Sequence, residues 1–265
     1  MPRLLQHRLD PSSRLARLMF AEYGVGIDLE DIKPWRREPG LLEINPAATV
    51  PILAEDGEPP VVGTLAVIHA IEDRYVPAAV AGLFPSHTAL RNEMWRLLEW
   101  VLVKLNDEVT RYVLEEKIVK RDQRGMTPEP GVLRVAKANL GEHLHYFNWL
   151  FATRHWIAGD TMTLADFALA AHLSSLDYLG DVQWDTSPET RQWYARIKSR
   201  PAFRTLLNDR VAGMPAAGGP THDRTCRKSW GPPLPGTGMA RWRGWPRPPS
   251  GAGRPRRYGP RHDLC

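Results

Sequence analysis

The residues best placed to do chemistry stand where helices begin. Asp10-Pro11-Ser12-Ser13 joins a turn proline to three capping side chains. An apolar face follows at Leu15, Leu18, Met19 and Tyr23, so a helix is predicted from here to Gly24. The hydroxyl of Ser12 or Ser13 could donate to an anion at the positive end of that helix, while Asp10 would place a carboxylate beside the same spot. The plain alternative is that Asp10 and Ser12 only cap the helix. Val50-Pro51 follows an Asn-Pro loop and leads into a short strand. Proline is tolerated at a strand entry, and a cis bond there would turn backbone donors and acceptors outward to hold an extended peptide, although the dipeptide alone favours an ordinary edge-strand turn. Val62-Gly63-Thr64 precedes another helix, with Thr64 read as its cap, and Thr163-Leu164-Ala165-Asp166 has the spacing of a capping box. Trp35-Arg36-Arg37 places an indole between cations in a polar loop, a composition suited to a protein interface or to packing on its own domain. His143 and His145 fall on different faces of a helix, which makes them a poor metal pair, and no metal site is expected. Lys117, Lys120, Arg121 and Arg124 form a basic helix end that reads as a solvated face or as a complement to the helix dipole.

The elements that must position these groups change character along the chain. Residues 3–9 read as a strand, 26–30 as a second strand and the helix from Asp10 joins them, a βαβ unit of roughly thirty residues. A loop through Pro34, Trp35 and Pro39 leads to 44–53, a turn at Glu55–Pro60 with Gly57 at positive φ, a short strand at Val61-Val62 and the helix from Thr64. From Ser86 onward the periodicity is helical throughout: 87–120, then 132–154 after a Gly/Pro-rich break, a helix from Thr163, and 188–199 closed by Ser199-Arg200-Pro201. Strands confined to the first third argue for an α/β part followed by an all-α part. The 265 residues suffice for two small domains, and 43% hydrophobic with 25% charged residues is ordinary for a soluble globular protein. No apolar run reaches the roughly 18 residues of a membrane span, and the N-terminus has no signal-peptide pattern, so the expected location is the cytoplasm.

Charge is unevenly spread. Residues 214–265 hold ten basic and two acidic side chains, a net +8, so the other 213 residues carry −3. Both cysteines, Cys226 and Cys265, also lie in that tail, which leaves the body without disulfides, a cysteine nucleophile or thiolate metal ligands. The tail has nine Gly, ten Pro, nine Arg and three Trp, with no Val, Ile, Phe or Glu, and cannot bury a core. Disorder is expected. The segment reads either as a basic arm or as an out-of-frame translation of GC-rich DNA, and the abrupt change after Pro215-Ala216-Ala217 favours the second.

Taken in order, Ile44-Asn45-Pro46, Val50-Pro51, Gly159-Asp160 with Thr163-Leu164-Ala165-Asp166, and Lys198-Ser199-Arg200-Pro201 closely resemble the cytosolic glutathione-transferase superfamily over roughly residues 3–213. The resemblance implies a thioredoxin-like N-terminal domain at 1–78, an all-helical domain at 86–213, and the disordered basic tail beyond. A narrower likeness, carried by Tyr23-Gly24, Val109-Thr110-Arg111, Trp149-Leu150, Trp156 to Asp160 and Leu176 to Trp184, is to the alphaproteobacterial branch that binds the tubulin-like division protein FtsZ. It implies a dimeric adaptor on division filaments. No membrane or nucleic acid is expected as a partner of the mildly acidic folded body. In that branch the chain ends shortly after residue 217 with a brief acidic-aromatic segment, which this chain would lack.

The resemblance also implies a glutathione site, and this sequence departs from it twice. Family members place a hydroxyl or thiol at the first helix to favour the glutathione thiolate. Ser12 or Ser13 could serve, but Asp10 sets a like charge beside the sulfur, which opposes its ionisation. Thr64 can replace the serine that grips the γ-glutamyl end, whereas Gly63 cannot replace the acid or amide before it. Losing that partner would weaken binding by roughly 1.5–3 kcal/mol. The glutathione-site equivalents are thus Asp10, Val50, Pro51, Gly63 and Thr64, and Trp35, Arg36 and Arg37 are the candidate partner residues. The leading expectation is an FtsZ-binding adaptor with little or no catalysis that requires no cofactor. The rival is conjugation of glutathione, as cosubstrate, to small electrophiles.

Overall fold

The computed structural model describes residues 1–77, 82–123, 125–211, 214, 216 and 217. The chain divides at Thr221, and His222–Cys265 lies outside the described residues, as do the expected disorder and frameshift of the tail beyond Ala217. Strand β1 (Arg3–Gln6) leads into helix α1 (Pro11–Glu22), which opens with Pro at its first position and Asp10 as N-cap. It closes with Gly24 at φ 69°, where Val25 N–H donates to Phe20 and Gly24 N–H to Ala21, a Schellman stop that needs a residue tolerating positive φ. Strand β2 (Asp28–Asp31) pairs parallel with β1, Leu4 opposite Leu29. Helix α2 (Pro39–Ile44) then precedes β3 (Ile52–Ala54) and β4 (Val61–Val62), and α3 (Thr64–Tyr75) ends the half. The sheet order is β2-β1-β3-β4, with β1/β3 and β3/β4 antiparallel.

Where the sequence reads as loop, the structure has a 3₁₀ turn at Pro34–Arg36 and helix α2. Both begin on a proline, which fixes φ at a first helical position where no N–H is needed. Strand β1 stops at Gln6, short of the expected 3–9, because the chain already turns at His7 to reach the Asp10 cap, whose N–H donates to the His7 carbonyl. Alternation along β1 sends Leu4 into the main core and Leu5 into a smaller cluster with Leu41, Ala48 and Ile52. The outer strand β2 is mostly exposed and bears Asp28, Glu30 and Asp31, charges that discourage edge-to-edge pairing.

The second half is helical. A continuous helix α4 spans 88–122, with i→i+5 turns over Trp100–Thr110 and Glu115–Val119. Helices α5 (Pro130–Phe151), α6 (Leu164–Tyr178), α7 (Pro188–Lys198) and the short α8 (Arg204–Leu207) follow, the last beyond the final helix read from the sequence. Fourteen residues of α6 are buried, which explains its alanine richness: neighbours close on every side. Its Thr163–Asp166 capping box forms as read, and Asp166 also receives Ile157 N–H and Trp193 Nε1–H, each at 2.9 Å. Helix α1 packs on α6, on α3 and on the turn before α8, so one core joins the sheet half to the helical half. Among the described residues no helix is long and apolar enough to cross a membrane.

Candidate functional site

At the start of α1, the Asp10 carboxylate accepts Ser13 N–H at 2.7 Å and Ser13 Oγ–H at 2.8 Å. Ser13 is fully buried, and its oxygen also accepts His7 N–H at 3.4 Å. Burial pushes the Asp10 carboxyl up to about 6, against the pull of the two Ser13 bonds. The hydroxyl of Ser13 is therefore committed inward, to the cap. Ser12 is partly exposed and stands one residue before it on the first turn.

The second region is the turn before β3. Val50–Pro51 is cis, and the preceding loop is braced by Asn45, whose Nδ2 donates to the Thr49 carbonyl and Oγ1, each at 3.0 Å, while its Oδ1 accepts Ala47 N–H. Ala48 carries φ 54° inside this braced loop. Gly63 N–H donates to the Pro51 carbonyl at 3.2 Å, tying this turn to the start of α3. The N-cap of α3 is Gly63, at φ 95°, and Thr64 is the first helical residue with no side-chain cap bond at that end. This corrects the reading of Thr64 as a cap: the strand lies at Val61–Val62 as expected, but the helix already begins at Thr64, and the capping position falls on Gly63, whose backbone swings through a conformation that glycine adopts without a Cβ penalty.

The third region is a cleft of ≈ 530 Å³ between the two halves, lined by residues of the β1–α1 loop, the 31–35 segment, the end of α4 and the chain after α8. His7, Trp35, Ile118, Val211 and Met214 contribute apolar surface. The His7 ring meets Trp35 edge-on at 5.0 Å, and burial pulls His7 down to about 4, so it is neutral here. Four cations (Arg8, Lys33, Arg121, Arg210) face two carboxylates, Asp31 and Asp122. Asp31 is held by Arg8 and Gln6, each at 2.6 Å. Asp122 accepts Trp35 Nε1–H at 3.0 Å, Arg36 Nε–H and Nη2–H at 2.9 and 3.1 Å, and the Lys33 ammonium. These bonds, the Arg36 fork first, hold its carboxyl well below the usual carboxylate range. Trp35 and Arg36 are thus already engaged within the chain. Arg37 turns away at φ 48° to donate to the Pro46 carbonyl.

The fourth region holds the chain's return to the N-terminal half. Asp209 is buried between Arg14 (3.1 Å) and Arg17 (2.9 and 3.1 Å) of α1, and Arg14 also donates to Ser174 and to the Arg8 carbonyl. Tyr178 Oη accepts Val211 N–H and donates to the Met214 carbonyl, while Ala217 N–H reaches the Tyr178 carbonyl. Asp177 beside it receives Trp184, Lys198 and Tyr194. The Leu176–Trp184 block is therefore a scaffold that holds Ala217 and seats Val211 and Met214 along one wall of the cleft.

Sequence reasoning missed Asp122 and Asp209, and it singled out Tyr178 only as part of the Leu176–Trp184 likeness, with no role of its own. The available signal for Asp122 was its isolation as the one acid in the 117–124 basic run. That run is not a plain solvated face: Lys117 pairs with Asp181 at 2.7 Å and Lys120 with Glu116 at 2.8 Å. His143 is buried, accepts Trp100 Nε1–H at Nδ1 and so presents Nε2–H to Glu108, while His145 faces outward.

Family models match in both halves: the glutathione S-transferase N-terminal domain over residues 11–74 and the C-terminal domain over 132–210. The chain is 38% identical over 220 residues to FtsZ-localized protein A of Caulobacter vibrioides, covering 81% of this chain and 95% of that protein. Among solved structures it resembles FzlA from C. crescentus, at 37% identity and TM-score 0.76 over 82% of this chain and 96% of that one. It also resembles a glutathione S-transferase from Rhodospirillum rubrum, at 36% identity and TM-score 0.77 over 82% and 97%. A sheet half closed by a capped α1 and a helical half centred on a buried α6, matched in order at both ends, place this chain in the glutathione S-transferase family.

Proposed function

We propose that this protein is a cytoplasmic, dimeric adaptor that binds FtsZ in bacterial cell division, with little or no glutathione chemistry. The observation that carries the reading is the 38% identity running over 95% of a protein named for its localisation to FtsZ. The start of α1 supports it. Ser13, one of the two hydroxyls available to a thiol, is spent on Asp10, and the Asp10 carboxylate opposes a second anion at that place. At the α3 start, Gly63 offers no side chain to an ammonium or carboxylate of a bound peptide. The partner surface in this reading is the cleft lined by Trp35, with Arg36 beside it on the same turn and Arg37 directed away toward Pro46, where an indole and several cations meet an apolar floor. Co-sedimentation with polymerised FtsZ tests it: the protein should pellet with filaments and stay in the supernatant without them. Absence from the filament pellet removes the division role.

One observation favours the alternative of a glutathione transferase. The cis Val50–Pro51 turn and the partly exposed Ser12 at a helix N-terminus keep the architecture that would hold a peptide thiol. Retention on a glutathione-affinity column with turnover of chlorodinitrobenzene would establish that activity, with Ser12 as the residue whose replacement by Ala abolishes it.

A further inference from the structure

Asp122 occupies a place that its own helix does not favour. It is the last residue of α4, where the helix dipole presents negative potential and a carboxylate is disfavoured. Its neighbours Lys120 and Arg121 suit that end, and Asp122 does not. What the carboxylate does instead is fill the fork of Arg36, the Lys33 ammonium and the Trp35 indole N–H, all from a turn 86–89 residues earlier in the chain. Three side chains of one short loop converge on a single carboxylate, and two of them, Lys33 and Arg36, are close to half exposed.

The geometry points to an internal surrogate: Asp122 holds the receptor loop Lys33–Arg36 in the place of an acidic side chain of a partner protein, which displaces it on binding. The inference rests on the reading of the Trp35 cleft as the partner surface. Its chemistry commits the partner segment to an extended stretch with an Asp or Glu next to apolar residues. The carboxylate replaces Asp122 on the loop, an exchange of one charge-assisted acceptor for another. The apolar neighbours then rest on Trp35, Ile118, Val211 and Met214, which form a small cluster of their own. Charge agrees: the cleft lining has four cations to two carboxylates, on a body whose net charge outside 214–265 is −3. The chain's own tail, at +8, has the wrong sign for this place. Exposed ion pairs contribute little to stability, so the internal contact is weak enough to yield to a ligand that adds apolar contacts.

Two arms separate this inference from the division role. In the first, a fluorescein-labelled decapeptide alternating Glu and Leu is titrated into the full chain and its Asp122→Asn variant. The variant should bind about five- to tenfold more tightly, with affinity falling as salt rises, and a Lys-Leu decapeptide should bind neither. Equal or weaker binding of the Glu-Leu peptide by the variant overturns the inference, as does binding of the Lys-Leu peptide. Adding Arg36→Gln to Asp122→Asn should erase the gain, and a gain that persists places the acid elsewhere and also overturns it. In the second arm the same variants are sedimented with FtsZ filaments. If wild type and variant both stay in the supernatant while the peptide arm succeeds, the division role fails and the surrogate stands. If wild type pellets and Asp122→Asn pellets less, the surrogate fails and the division role stands.

Discussion

Asp10 and Asp122 each gather hydrogen bonds at the end of a helix, yet they are held in opposite ways. The donors to Asp10 come from one residue three positions along, and burial dominates, so its carboxyl rises to about 6. The donors to Asp122 come from the other half of the chain. Pairing dominates there, and its carboxyl is held far below the ordinary range. The first carboxylate completes a local hydrogen-bonding pattern at a helix start, within a helix that the core then buries. The second joins two distant segments at the surface, where contacts are cheap to remake. Asp209 marks the extreme of the series, buried and shared by two guanidiniums.

Removing Asp209 should have the largest effect. Asp209→Ala leaves Arg14 and Arg17 buried without their counter-ion, and a loss of about 3–5 kcal/mol is expected in urea unfolding. A loss no larger than that of a surface substitution would erase the contrast between buried and exposed carboxylates. Asp10→Ala should cost about 1 kcal/mol at pH 7 through the lost cap, and Asp10→Ser should recover most of it, since serine also supplies a cap oxygen.

The two aspartates should also differ in sign with pH. The folded carboxyl of Asp10 at about 6 stands above its ordinary 3.8, so the folded state binds the extra proton between those values. The stability of wild type relative to Asp10→Asn should therefore fall as pH rises from about 4 to 6 and stay level above. For Asp122 the pairing contributes in full above 3.8 and is lost as pH drops below it, so wild type relative to Asp122→Asn should lose stability only in acid. Unfolding of both pairs across pH 2–8 checks this, and parallel profiles would show that burial and pairing are not separable here. At neutral pH the smallest effect is expected from Asp122→Asn, a loss of about 0.5 kcal/mol relative to wild type by the same urea titration, because its partners are nearly half exposed.

What the sequence made legible was local. The Asp10-Pro11-Ser12-Ser13 start, the Gly24 stop and the Thr163–Asp166 box all depend on residues within a few positions of one another, and each reads as it folds. The turn at Val50–Pro51 was likewise read from its own residues, and the family resemblance added the order of the elements. The partners that complete the cleft were not legible, since Trp35 meets Asp122 across 87 positions and Tyr178 meets Val211 across 33. Only packing of the two halves brings them together. Thr64 misled because a threonine before an apolar run is a good cap by type, whereas the positive-φ backbone at the capping position favours the glycine one residue earlier.

The buried pairing of Arg14 and Arg17 with Asp209 has a consequence for the order in which the protein is made. The ribosome delivers the two cations near the start of synthesis and their counter-ion some 192–195 residues later. Until then α1 cannot seat both guanidiniums in a dry interior, because an unpaired buried charge is strongly disfavoured. Emerging chains should therefore keep the N-terminal half loosely closed, and final compaction waits for the end of α8. A translation stall before residue 209 would leave a chain with complete sheet-forming segments and an open core, a ready target for chaperones.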